Sequence, residues 1–264
     1  MKAIFLIFAV FLFIILVVPQ TPCVETAGIK ITILYDNYVY KDGLSADWGF
    51  SCLIEGMEKT ILFDTGTRHD ILLHNVEQMD VNLNDVEQVV LSHEHGDHTG
   101  GLSTVLDKNN HVTVYAPESF SSDFFQMVKG KNAKAVTVKG PIELCQNVLL
   151  TGEMGDRIIE QSLILDTSKG LIVITGCAHP GIVNIVKKSK EIIDKDIYLV
   201  LGGFHLGGTS ERDVRKIIET FKDLGVQKVG ATHCTGDRAI EMFKEAYGED
   251  YVQMGVGRVL NLSH

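Results

Sequence analysis

Beyond residue 27 the chain reads as short apolar runs separated by polar punctuation, and the spacing of those runs changes along its length. Residues 30–34, 48–54, 60–63 and 86–91 are β-branched or apolar runs bounded by turn-forming residues, which predicts a strand-rich first half. Glu55-Gly56 supplies a turn between two of these runs, and helices are expected after Arg68 and from Thr99 onward. The second half alternates buried strands, predicted at 171–175, 197–201 and 226–231, with helical patterns. Val214, Ile217, Ile218, Phe221 and Leu224 recur at helical spacing and mark one apolar face. Ser210 with Asp213 opens that helix, Gly225 closes it, and a later helix over 237–247 ends at Gly248. This alternation predicts two sheets with helices outside them, a layered α/β/β/α body of the α/β (α+β) class.

The first residues follow a different pattern. After Met1-Lys2, residues 3–18 form sixteen unbroken apolar positions ended by Pro19-Gln20-Thr21-Pro22, which fits the hydrophobic region of a secretory signal. Glu25-Thr26-Ala27 lacks a clean small-x-small cleavage site, so an uncleaved anchor stands beside a cleaved signal, and either predicts a protein outside the cytoplasm. Residues 28–264 carry no repeat, linker or charge block and are read as one domain after an N-terminal segment spanning 1–27. A composition of 45% hydrophobic and 8% aromatic residues over 264 positions is enough for a full core.

A net charge of −10 excludes broad contact with nucleic acid, which needs Lys and Arg to neutralise phosphates. The expected partner is a small molecule, with membrane contact only through the N-terminal segment if it is uncleaved. An anionic substrate stays compatible, because bound metal reverses the local field. Five cysteines, Cys23, Cys52, Cys145, Cys177 and Cys234, are odd in number and scattered, so they do not form a disulfide framework. Cys177 and Cys234 lie within two residues of histidines, where a thiol can line or ligate a metal site.

The chemistry concentrates in Ser92-His93-Glu94-His95-Gly96-Asp97-His98-Thr99-Gly100-Gly101, directly after an apolar run. Imidazole nitrogen and carboxylate oxygen are the donors that borderline divalent cations prefer. A strand ending at His93 delivers His93 and His95 to one side, leaving Asp97 and His98 free to face a second ion. The later histidines also follow predicted strands: His179 after Thr175-Gly176-Cys177, His205 after Leu201-Gly202-Gly203, and His233 after Ala231. Functional groups gather at strand ends, so these residues are expected to converge. His69, His74, His111 and His264 carry no such spacing and are read as surface or structural, and Asp36-Asn37 after the first strand either as lining the cleft or as turn chemistry.

Together with Trp48-Gly49-Phe50-Ser51 and Phe63-Asp64-Thr65-Gly66, these motifs resemble the metallo-β-lactamase superfamily over nearly all of residues 30–264. The resemblance implies a four-layer αβ/βα sandwich of two mixed sheets with a one- or two-metal site between them. It implies that His93, His95 and a later ligand hold one ion, and that Asp97, His98 and a late histidine, His233, hold the other. Thr175-Gly176-Cys177-Ala178-His179-Pro180-Gly181, Gly202-Gly203-Phe204-His205-Leu206 and Thr232-His233-Cys234-Thr235-Gly236 are similar to the branch labelled 7,8-dihydropterin-6-methyl-4-(β-D-ribofuranosyl)aminobenzene-5'-phosphate synthase.

The chain departs from the superfamily's hydrolases where a Gly-His-Thr turn is usual, reading Thr151-Gly152-Glu153, and it shows no counterpart of the bridging aspartate. His179, Cys177 and Glu153 are therefore all candidates for the third ligand of the first ion, with His179 favoured beside the rigid Pro180. Asp64 is expected to orient a ligating imidazole. Asp97 and His205 are the candidate catalytic groups. Zinc is the expected metal, one or two ions per chain, with manganese or ferrous iron as alternatives.

Two ions about 3.5–4 Å apart would activate a shared water, so hydrolysis of a phosphate-bearing or ester substrate is the expected reaction. Amides at helix starts after Thr99 and Thr235 offer a cradle for phosphate. A dihydropterin transferase is the alternative, disfavoured by the expected export of the chain; a noncatalytic metal-binding protein is the third reading.

Overall fold

The computed structural model describes residues 28–262. One sheet is built from β1 (Ile29–Tyr35), β2 (Ser51–Glu55), β3 (Ile61–Phe63), β4 (Gln88–Val90), β5 (Thr113–Pro117), β6 (Lys134–Val138) and the late strand β13 (Val259–Leu262). The other holds β7 (Ile142–Cys145), β8 (Val148–Leu150), β9 (Leu163–Thr167), β10 (Gly170–Thr175), β11 (Ile197–Gly203) and β12 (Lys228–Thr232). Their spatial orders are β13-β1-β2-β3-β4-β5-β6 and β12-β11-β10-β9-β8-β7. Both sheets are mixed: β3 to β6 pair in parallel, as do β10, β11 and β12, and the remaining pairs are antiparallel.

The period of two along each strand assigns side chains to layers. In β10, Ile172 and Ile174 point into the core between the sheets with Ile31, Ile33 and Phe63, whereas Leu171 and Val173 face outward. That outward face is covered by α5 (Ile182–Ile192), α6 (Glu211–Asp223) and α7 (Asp237–Tyr247) through Ile185, Phe221 and Phe243. On the other sheet, α1 (His69–Gln78), α3 (Leu102–Lys108) and α4 (Ser122–Gly130) cover Leu62, Val89 and Val114. A strand buried on both faces must be apolar throughout, which is why β10 reads as a continuous apolar run without alternation. The expected four-layer αβ/βα arrangement is thus present.

Several boundaries differ from the sequence reading for local reasons. The run predicted from residue 48 joins the sheet only at Ser51, because the amides of Gly49 and Phe50 bond to Asn37 Oδ1 and the Asp97 carbonyl, not to a neighbouring strand. The helix expected from Thr99 begins earlier, as α2 (Gly96–Thr99), and stops before α3. A Cβ on Gly100 would lie 2.0 Å from the Thr67 carbonyl oxygen and one on Gly101 2.3 Å from that of Thr65, so the junction between the two helices has room for glycine only. The helix over 211–223 starts as expected, with the Ser210 side chain accepting from the Asp213 amide, and Gly225 follows its end in a left-handed conformation at φ 77°.

The expectation of export or membrane anchoring does not hold. Among the described residues no helix is long and apolar enough to cross a membrane, and residues 1–27, on which that expectation rests, lie outside the described residues, as do Cys23 and His264.

Asn75 of α1 ties the helix to the sheet and to the loop that roofs the strand ends. Its side-chain nitrogen donates to the Leu34 and Ser45 carbonyls at 3.0 and 2.8 Å, and its oxygen accepts from the Ser45 amide at 2.8 Å. Asn75→Ala leaves these buried groups unpaired and is expected to lower unfolding free energy by about 2–4 kcal/mol. Urea denaturation with an unchanged slope is the measurement, and a change below about 0.5 kcal/mol would contradict the role.

Candidate metal centre

Strands β1, β3 and β4 of one sheet, and β10, β11 and β12 of the other, run out at the cleft, and the loops beyond them carry every side chain of the site. His93 and His95 follow β4, and their Nε2 and Nδ1 atoms stand 3.0 Å apart. His179, beyond β10, joins them in a group whose ligand atoms all lie within 4.8 Å of one another. A second such group holds Asp97, His98, Cys177 and His233. Within it, Asp97 Oδ2 lies 3.5 Å from His98 Nε2 and 3.4 Å from His233 Nε2, while Cys177 Sγ lies 3.3 and 3.4 Å from the same nitrogens. The groups adjoin, with the His93 and His98 rings 4.3 Å apart.

Three of the imidazoles, those of His93, His98 and His233, are oriented by a partner on Nδ1. Asp64, the last turn of backbone after β3, accepts from His98 Nδ1 at 2.7 Å and from the Ser92 amide and hydroxyl, each at 2.7 Å. Because the Ser92 hydroxyl spends its hydrogen on Asp64, it accepts from His93 Nδ1 at 2.9 Å. His233 Nδ1 donates to Asn37 Oδ1 at 2.9 Å. These bonds place a proton on Nδ1 of three rings and turn Nε2 of each toward the cleft, where its lone pair can ligate a cation once any proton on it is displaced. The Nε2 of His179 is buried and has no hydrogen-bond partner, an orphan that a cation would satisfy. The residues present therefore fit a divalent metal.

The ligand loops are held in unusual conformations. Asp64, Ala178, His205 and His233 are non-glycine residues at positive φ, 55°, 64°, 52° and 51°, and such strain of order 1–3 kcal/mol each persists only where surroundings impose it. Glu160 is one source of that imposition. Fully buried, it accepts from the amides of Cys177, Ala178 and His179 at 2.9, 2.8 and 2.8 Å, clamping the loop that carries two of the donors. Burial pushes the Glu160 carboxyl up to about 7, against the pull of those three amides.

Charge in the cleft is arranged for a cation. Burial alone would disfavour a charged His98, yet the carboxylates of Asp64 and Asp97 outweigh it and lift His98 to about 10. Burial would likewise raise Asp97, but hydrogen bonds from His233 and His98 hold it well below the usual carboxylate range. His93 and His179 move the other way: burial and then neighbouring imidazoles lower both, His179 to about 4. A proton on His98 and a metal ion compete for the same negative field, so cation binding there displaces the proton.

The structure brings together His93, His95, Asp97, His98, Cys177, His179 and His233, with Asp64 behind His98. His179 stands in the first group and Cys177 in the second. Glu153 falls outside both, its carboxylate accepting from the Ser119 amide at 2.7 Å. His205 is exposed, and its ring lies 4.2 Å from that of His179. His69, His74 and His111 are exposed and belong to neither group. The helix starts offer little to a phosphate: α3 has only seven residues, and α7 carries Asp237 in its first turn, bonded to the Tyr38 hydroxyl.

Sequence reasoning missed Glu160, placed Asn37 at the cleft only as one of two readings, and quoted Trp48 in a motif without giving it a role. Glu160 lies 17 to 19 residues before the loop it clamps, with β9 and β10 between them, and Asn37 has the composition of an ordinary turn. Trp48 is 56% exposed, yet its Nε1 donates to Asp97 Oδ2 at 2.8 Å and its ring is 5.0 Å from that of His233. The chain's single tryptophan, placed beside Gly49, was the available signal.

Residues 49–183 match the profile of the metallo-beta-lactamase superfamily. The chain is 33% identical over 284 aligned positions to the 7,8-dihydropterin-6-methyl-4-(beta-D-ribofuranosyl)-aminobenzene-5'-phosphate synthase of Methanocaldococcus jannaschii, covering 88% of this chain and 96% of that protein. It is 30% identical to an uncharacterized protein of the same organism, covering 88% of this chain and 100% of the relative. Among solved structures it is similar to a metal-dependent hydrolase of the beta-lactamase superfamily, with 29% identity, a TM-score of 0.78, and coverage of 89% of this chain and 100% of that one.

Glu160→Gln keeps the shape but replaces one acceptor by a donor facing backbone amides. It is expected to weaken metal binding by about 10–100-fold with secondary structure intact, as measured by competition with a chromophoric chelator. Unchanged affinity would show that the clamp does not position the ligands.

Proposed function

Because this chain belongs to the metallo-β-lactamase superfamily, we propose that it is a metal-dependent enzyme that breaks a bond to a metal-polarised oxygen of a phosphate-bearing or ester small molecule. The observation that carries this reading is the pair of adjoining donor groups, with tautomers set by Asp64, Ser92 and Asn37 and an unpartnered nitrogen on His179. His93, His95 and His179 would hold one divalent ion, and Asp97, His98, Cys177 and His233 a second, with zinc the metal best suited to these nitrogen, oxygen and sulfur donors. When bound, such ions neutralise charge on a leaving or attacked oxygen and make water a nucleophile near neutral pH.

The chain's own residues do the rest. Asp64 keeps the proton of His98 on Nδ1, so that Nε2 stays available as a ligand. Trp48 Nε1 donates to Asp97 Oδ2, which limits the rotation of that carboxylate. His205, exposed at the rim beside His179, is suited to deliver a proton to a departing oxygen or to bond a phosphate.

Hydrolysis, with water as acceptor, is the reading supported by the likeness to a metal-dependent hydrolase. A specific observation favours a second reading: the identity of 33% along almost the whole of a relative named as a dihydropterin-methyl-(ribofuranosyl)aminobenzene-phosphate synthase. In that case the ions would hold the leaving group, a diphosphate, while the aminobenzene takes the place of water. With export of the chain overturned, nothing in the described residues weighs against such a biosynthetic role.

Metal analysis of the purified protein is expected to find about two divalent ions per chain, with clear loss in the combined variant His95→Ala, His98→Ala; equal content in both would remove the site. The acceptor is decided by following pyrophosphate release from a dihydropterin-methyl diphosphate. Release that requires the ribosylated aminobenzene phosphate assigns the synthase, release without it assigns the hydrolase, and chelator-insensitive turnover of either kind would refute metal dependence.

A further inference from the structure

Neither ion so far described uses Cys234. Its sulfur lies in the same cleft as Cys177 Sγ and the His205 ring, and the ligand atoms of these three residues all lie within 4.8 Å of one another. We propose that Cys177, Cys234 and His205 form a third cation position, selective for a soft or borderline ion such as zinc, cadmium or cuprous copper, which shares the Cys177 sulfur with the second group.

The topology makes this cluster a built feature of the sheet. Thr175 of β10 pairs with Gly202 of β11, and Gly202 pairs with Ala231 of β12, so the loops that follow lie side by side. Cys177, His205 and Cys234 each come two or three residues after those paired positions, one from each of three adjacent parallel strands. Gly203 gives the sulfur its room: a Cβ there would lie 2.7 Å from Cys234 Sγ and 2.4 Å from the Gly176 carbonyl oxygen. Cys234 is also fixed from behind, since Thr235 accepts from the Phe204 amide at 3.0 Å and donates to the Thr232 carbonyl at 2.6 Å.

The donor set separates this position from its neighbours. The first group offers three imidazoles and the second a carboxylate, two imidazoles and one sulfur, whereas here two sulfurs meet one imidazole. Thiolates favour zinc, cadmium and cuprous ions over manganese, magnesium or calcium. Both cysteines are buried and His205 is exposed, so three protein donors would leave one side of the ion open to solvent. That is the layout of an exchangeable metal position, unlike a closed structural one. Because Cys177 faces both ways, filling the third position alters the charge available to the second, and by reciprocity the second alters the third.

The test is a cadmium titration of the full-length, reduced, metal-free protein, reading bound cadmium per chain and the near-ultraviolet thiolate-to-cadmium absorption. The wild type is expected to bind about three ions, and Cys234→Ser about two, with the absorption reduced to about half. His205→Ala alters an exposed residue, so it keeps the comparison decisive if Cys234→Ser does not fold. It is expected to weaken the last ion at least ten-fold without loss of the first two. A wild type that saturates at two ions, or variants that keep the third ion and the full absorption, would overturn the proposal. The combined variant His95→Ala, His98→Ala separates this outcome from the site assignment above: it should lose the other ions while retaining absorption from Cys177 and Cys234.

Discussion

A single buried carboxylate, that of Asp64, is the interaction on which the rest of the cleft depends. It follows β3, receives the amide and hydroxyl of Ser92 after β4, and holds Nδ1 of His98 beyond them. An unpaired carboxylate at zero exposure would cost several kcal/mol, so these bonds are a condition of folding as well as an aid to ligation. Gly176, from the other sheet, approaches so closely that a Cβ would lie 2.1 Å from Ser92 Oγ and 3.0 Å from Asp64 Oδ2. The same atoms therefore set the tautomer of His98, the orientation of His93 through Ser92, and the separation of the two sheets at the cleft.

Two further buried carboxylates repeat this arrangement at the edges of the site. Glu160 clamps the loop of Cys177 and His179 through backbone amides, and Asp36 accepts both of its 2.8 Å bonds from the Thr232 hydroxyl next to His233. Burial pushes each of these carboxyls up to about 7, which measures how strongly the fold resists burying their charge. The molecule accepts that cost, together with left-handed backbone at Ala178, His205 and His233, in order to aim side chains from six strand ends at one volume. The overall charge of −10 plays little part; the field that matters is made by Asp64 and Asp97 within the cleft.

Cys177 distinguishes this cleft from one built on nitrogen and oxygen alone. Where a carboxylate would bridge two hard or borderline ions, a thiol adds a softer donor and a second direction of approach, toward Cys234 and His205. The cleft is therefore open to chemistry in which the ions hold a leaving group as well as to chemistry in which they activate water. The acceptor, and not the ligand set, separates hydrolysis from transfer.

Much of this was legible in one dimension. The apolar runs and caps located the main strands and helices, and the density of histidine and aspartate between His93 and His98 marked the chemistry before any fold was known. The strands from β5 to β9 and β13 were less visible: they are short, three to five residues each, and β13 pairs with β1 at the other end of the chain. Glu160 carried no signal, because a carboxylate acquires its role only when loop amides are brought against it. Local residue pattern thus determined which elements form and which side chains can bind a cation, since both follow from neighbours in sequence. His179 was already favoured for the first group beside Pro180, but the placing of Cys177 in the second group and the exclusion of Glu153 were made by tertiary structure alone. Those outcomes depend on distances of a few ångströms between separate strand ends, and packing between the sheets sets them.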